Sequence, residues 1–90
     1  MYIYKEVDFS MFCDAFHESD YYKTAFTDEA LSALFDYIEE FEPCMELDII
    51  ALCEEFCQLP LNQLGDTPKE NIIASFDDGT HLVRRWYYWQ

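Results

Sequence analysis

The feature that most constrains the fold is the run from Thr27 to Pro43. Leu31, Leu34, Phe35, Ile38 and Phe41 recur at the spacing of one helical face. Thr27 stands where a side-chain oxygen can accept from orphan amides, and Asp28 and Glu29 complement the positive end of the helix dipole. Pro43 lacks a backbone donor and stops the run. An amphipathic helix needs a partner surface for its apolar side, so the rest of the chain must supply one. On a helical wheel the opposite side gathers Glu29, Ser32, Asp36, Glu39 and Glu40, a carboxylate stripe over about three turns.

Two other regions read clearly. Asp8 is placed as an N-cap before Phe9, Phe12, Cys13 and Phe16, whose spacing predicts a helix ending between His17 and Asp20. Asn71 to Phe76 and Thr80 to Trp86 are β-rich runs joined around Asp78-Gly79, predicting a hairpin with a two-residue type I′ turn. Tyr2, Ile3, Tyr4 and Val7 predict a short first strand. Glu46 to Cys57 fits two periods: Ile49, Leu52, Cys53 and Phe56 suit a helix, whereas Leu47, Ile49, Ala51 and Cys53 alternate as in a strand. Leu59 to Lys69 reads as a connector punctuated by Pro and Gly, and no repeat or linker divides the chain. The expectation is one acidic α+β domain over residues 1–90, ordered β-α-α-β-β-β, with two helices on a largely antiparallel sheet.

Charge narrows the function. Aspartate and glutamate number 19 against 5 lysines and arginines, a formal net charge of −14. Residues 1–68 hold 16 of the acids and 2 of the bases, and no basic residue lies between Lys23 and Lys69. Nucleic-acid binding requires a basic footprint, so direct contact with DNA or RNA is excluded as an expectation. The 51% hydrophobic and 19% aromatic content supplies a core, so the acidity does not imply disorder. No apolar run approaches the roughly 20 residues of a membrane span, and Met1 is followed by no export signal, so a cytoplasmic protein is expected.

Cys13, Cys44, Cys53 and Cys57 are expected to be free thiols. The Cys53-x₃-Cys57 spacing, even with His17 and His81 added, matches structural zinc sites poorly, so no metal or other cofactor is expected. A thiol nucleophile would require His17 or His81 beside Cys13 or Cys57, and acidic pairs such as Glu39/Glu40 or Glu54/Glu55 are commonplace in so acidic a chain. An enzyme is not expected. Trp86, Tyr87, Tyr88 and Trp89 crowd the C-terminus. Strand alternation turns half of them inward as core cover, and the outward half is a candidate contact for a partner, with Trp89 and Tyr88 named as the aromatic contact residues.

The helix segment Ala30-Leu31-Ser32-Ala33-Leu34-Phe35-Asp36-Tyr37-Ile38-Glu39-Glu40, followed by Glu46-Leu47-Asp48-Ile49-Ile50-Ala51-Leu52-Cys53-Glu54-Glu55-Phe56, resembles a group of small acidic phage and mobile-element proteins. The resemblance covers Asp8 to Phe56 and, more loosely, the hairpin, and the chain departs from it after Phe56, where those relatives have a longer acidic helical insert. It implies that Glu46 to Phe56 is a central strand. In size, charge and setting the chain is also similar to anti-CRISPR and anti-restriction inhibitors. The resemblance thereby implies a DNA mimic that occupies the basic DNA-receiving surface of a bacterial CRISPR surveillance complex. A type I complex, through its large DNA-recognising subunit, is the favoured partner. The expected contact surface is Glu29, Asp36, Glu39, Glu40, Glu42, Glu54 and Glu55, on a monomer or weak homodimer. An anti-restriction mimic and an acidic antitoxin or regulatory protein are the alternatives.

Overall fold

The computed structural model describes residues 7–42 and 44–85. The expected first-strand residues Tyr2, Ile3 and Tyr4, the helix-stopping Pro43, and the aromatic residues Trp86, Tyr87, Tyr88 and Trp89 lie outside the described residues. Among the described residues, three helices and a three-stranded antiparallel sheet build an α+β domain: α1 (Phe9–His17), α2 (Asp28–Phe41), α3 (Ile49–Glu55), β1 (Phe56–Pro60), β2 (Ile72–Ser75) and β3 (Thr80–Arg84). The strand order is β1-β3-β2, which places β3 in the centre.

Each helix starts on the cap its sequence supplies. The Asp8 carboxylate accepts from the Met11 N–H at 2.8 Å, the Thr27 hydroxyl from Ala30 at 3.2 Å, and the Asp48 carboxylate from Ala51 at 3.2 Å. The third cap corrects the strand implied over Glu46 to Phe56. With Asp48 fixing an N-terminus, the helical spacing of Ile49, Leu52 and Cys53 wins, and the chain turns extended only at Phe56. The described residues therefore carry three helices where two were expected. The Leu59 to Lys69 connector is partly structured, because β1 runs on to Pro60 and Leu61–Gln63 forms a 3₁₀ turn.

The core forms where α1 and α2 meet one face of the sheet. Phe12, Phe16, Leu31, Leu34, Ile38, Leu52, Phe56 and Leu82 are almost completely buried. Their rings interlock at separations favoured by aromatic quadrupoles: Phe12 lies 5.1 Å from Phe35, and Phe16 meets Phe26 edge-on at 5.6 Å. Phe56 pairs with Arg84 and Gln58 with Leu82, so these four side chains share the core face. Cys57 and Val83 pair on the other face, beside Leu59, Leu64 and Thr67.

The hairpin is present, with a different turn. The Phe76 N–H donates to the Thr80 carbonyl at 2.9 Å, and the Gly79 N–H donates to the Phe76 carbonyl at 3.1 Å. Three residues thus form the loop, and only Gly79, at φ 86°, is left-handed. A type I′ turn would need positive φ at Asp78 as well; a turn closed by one left-handed glycine needs it only where it has no steric cost. Asp78 instead closes the loop, its carboxylate accepting from the Thr80 N–H at 2.9 Å and the Thr80 hydroxyl at 2.5 Å. These bonds favour the charged form and hold the Asp78 pKa below its ordinary value.

Candidate acidic interface

The side of α2 that faces away from the core exposes Glu29, Ser32, Asp36, Glu39 and Glu40. At a rise of roughly 1.5 Å per residue, Glu29 and Asp36 stand roughly 10 Å apart along the axis, and Asp36 and Glu40 roughly 6 Å. None of the ion pairs found among the described residues involves these four carboxylates. Lys23 approaches Asp20 at 3.8 Å, and His17 approaches Asp28 at 3.5 Å.

Local physics favours only part of this stripe. Asp28 and Glu29 sit in the first turn, where negative charge is stabilising, but no basic residue occupies the last turn. Glu39 and Glu40 therefore lie near the negative end of the helix dipole, where each carboxylate costs on the order of 0.3–1 kcal/mol at low salt. A helix selected for stability alone would carry lysine or arginine there.

Two of the expected contact residues serve another purpose. Glu42, at the C-cap of α2, and Glu55, at the end of α3, converge on Arg84 of β3 at 2.9 and 2.6 Å. The Arg84 guanidinium also donates to the Tyr37 hydroxyl at 3.2 Å and lies 5.5 Å from the centre of the Phe56 ring. Burial opposes its charge, but the hydrogen bonds to Tyr37, Glu55 and Glu42 outweigh that penalty and raise its pKa. The side chains are mostly buried, with exposures of 21% for Arg84, 32% for Glu42 and 16% for Glu55. Glu42 and Glu55 thus meet their counter-charge within the fold, in a charged knot that ties α2, α3 and β3 together. Counter-charge judged from sequence neighbours missed this, because Arg84 is 42 and 29 positions away from its partners.

Glu54 is exposed, one residue from Glu55 on α3 and therefore about 100° around the helix from it. Tyr88 and Trp89, the expected aromatic contact, lie outside the described residues. Gln58 is a further positioning residue that sequence reasoning did not select. Its side-chain carbonyl accepts from the Thr27 N–H at 2.8 Å, and its amide donates to the hydroxyls of Thr27 and Thr80 at 3.1 and 2.7 Å. It fastens the start of the acidic helix to the sheet.

The thiols are disposed for packing more than for chemistry. Cys13, Cys53 and Cys57 are half-buried and Cys44 is exposed, all free. Burial pushes the Cys53 thiol up to about 11 and raises Cys57 as well, against a smaller opposing pull from Arg85. Cys13 is raised by burial and by the nearby charges of Asp28 and Asp14. His81 contacts the Ser75 hydroxyl at 2.7 Å through Nδ1. Among the described residues no group of three His, Cys, Asp or Glu side chains could hold a metal ion, and no helix is long and apolar enough to cross a membrane.

Comparison with protein-family models, with curated proteins and with solved structures gives no match to this chain.

Proposed function

We propose that the protein is a polyanionic inhibitor whose α2 carboxylates occupy a basic, DNA-receiving surface of a bacterial immune complex. The observation that carries this reading is the exposed row Glu29, Asp36, Glu39 and Glu40, which continues to the C-terminal end of the helix, where it works against the dipole. Fixed charges on a rigid helix attract lysine and arginine side chains that otherwise meet phosphates, steer the encounter and need little ordering on binding. The anti-CRISPR resemblance names the partner: a CRISPR surveillance complex of type I, engaged through its large DNA-recognising subunit. The inhibitor acts by binding and carries out no chemistry on its target.

Order of addition tests this. Inhibitor mixed first with a purified type I surveillance complex is expected to block capture of target duplex, whereas duplex bound first resists displacement. The affinity for the complex is expected to fall by roughly tenfold or more between about 50 and 200 mM salt, because screening weakens contacts between exposed charges. A ternary complex with duplex that forms at full affinity, with only cleavage blocked, contradicts the mimic.

A further inference from the structure

The C-terminal end of α2 carries an aromatic pair beside its acids. Asp36, Glu40, Tyr37 and Phe41 fall within about 140° of one another around the helix, in that order, so the two carboxylates border the two rings. Phe41 is 61% exposed, and its ring packs against Tyr37 at 4.9 Å with the planes tilted by 44°. Tyr37 is held in turn: its ring meets Phe56 edge-on at 5.8 Å, and its hydroxyl accepts from the Arg84 guanidinium at 3.2 Å. The exposed ring is therefore rooted in the charged knot of α2, α3 and β3 and needs little ordering to meet a partner. Asp36 and Glu40 are exposed, and neither enters the ion pairs found among the described residues. The last turn of α2 contains no basic residue, so the negative end of the helix dipole adds to the same field.

We infer that the end of α2 is a docking patch selective for arginine side chains of a partner protein, with a guanidinium lying over the exposed Phe41 ring and donating to the carboxylate of Glu40. The chemistry of the patch selects this occupant. An aromatic face attracts a cation through its quadrupole, and a planar guanidinium stacks on it while giving two parallel hydrogen bonds to a carboxylate. The compact, strongly hydrated ammonium of lysine does not combine the two. The fold uses the same combination in its interior, where Arg84 lies 5.5 Å from the centre of the Phe56 ring and meets Glu42 and Glu55 at 2.9 and 2.6 Å. A neutral apolar partner would cover Glu40 without pairing it. A second copy of this chain would bring another formal charge of −14 toward the first. The inference rests on the proposed reading of α2 as the binding surface and deepens it, because it gives the row a preference among cations that charge alone does not supply.

The test titrates the isotope-labelled full chain with two synthetic peptides of equal length and charge, one of arginine and glycine and one of lysine and glycine, and reads backbone amide shifts. A neutral peptide of leucine and serine tests for a purely apolar anchor. Saturable shifts centred on residues 36–41 are expected, with the arginine peptide bound about threefold or more tightly than the lysine peptide. Phe41→Leu, at an exposed position, keeps apolar area without a ring. It is expected to stay folded and to weaken the arginine peptide by about two- to fivefold and the lysine peptide by less. Phe41→Trp, which offers the stronger cation–π face, is expected to tighten the arginine peptide. Equal affinity for the two cationic peptides in the parent, or an arginine affinity unchanged in both variants, overturns the inference and leaves the α2 row a surface for cations of either kind. Tighter binding of the leucine peptide, shifts that fall outside residues 36–41, or absence of saturation overturns it as well. Failure of the proposed function is read separately, as duplex capture that the parent protein does not block.

Discussion

Two sets of carboxylates lie within a few turns of each other and do opposite things. Asp36, Glu39 and Glu40 point into solvent from α2, while Glu42 and Glu55 turn inward and grip Arg84. Residue type does not separate them, and neither does local sequence, because both sets belong to the same acidic run. What separates them is the place they occupy: Glu42 and Glu55 stand at helix termini and reach Arg84 of the central strand, whereas the other three ride on an exposed helix face. An acid that meets its counter-charge across the fold is structural, and one left facing water is available to a partner.

Removing the cation is the strongest way to break this comparison. Arg84→Met strands two mostly buried carboxylates and is expected to cost about 2–4 kcal/mol, measured by denaturant unfolding. Adding Glu42→Gln and Glu55→Gln to that variant is expected to recover most of the loss, because uncharged amides tolerate the site without the guanidinium. If Arg84→Met melts like the parent, the knot is not structural, and Glu42 and Glu55 are candidate contacts only.

A smaller loss is expected at Gln58, which joins the start of α2 to the sheet. Gln58→Ala removes three hydrogen bonds at partly exposed positions and is expected to cost about 1–2 kcal/mol. Inhibition should persist wherever the variant remains folded, since the row of carboxylates is unchanged.

The thiols sharpen the contrast between inside and outside. Cys44 is expected to react first with a thiol reagent at neutral pH, and Cys53 and Cys57 only slowly until the protein unfolds. The linkage has a definite sign. Burial raises the folded Cys53 pKa above its ordinary 9.0, so the native state holds the proton more tightly, and the resulting stability is fully present below that value. It declines as pH climbs from 9.0 toward about 11, where stability should be lost more steeply in the parent than in Cys53→Ala. Parallel pH profiles for the two proteins would remove Cys53 as the titrating group.

Much of the helical framework was legible because its signals are local. Asp8, Thr27 and Asp48 each stand three residues before the amide they cap, and the apolar spacing of α2 selects its buried side directly. Asp48 also held the answer to the ambiguous stretch, since a cap there favours the helical period over the strand implied by resemblance. The hairpin was legible as a hairpin but not in its turn, because Asp-Gly tolerates several turns and the Asp78 to Thr80 bonds select among them only in three dimensions. Of the candidate surface, the α2 row was readable from the helical wheel. The pairing of Glu42 and Glu55 was not, for it depends on Arg84 returning from the far end of the chain.

The central claim is that the solvent-facing carboxylates of α2, and not total acidity, carry binding. Its most direct test is the affinity of a variant with Asp36, Glu39 and Glu40 all replaced by lysine for a purified type I surveillance complex, measured beside its melting temperature. The account predicts that the variant folds with stability within about 0.5 kcal/mol of the parent or above it, as self-repulsion and the unfavourable dipole contacts are relieved, while binding and inhibition are lost. A folded triple variant that binds and inhibits as well as the parent would contradict it.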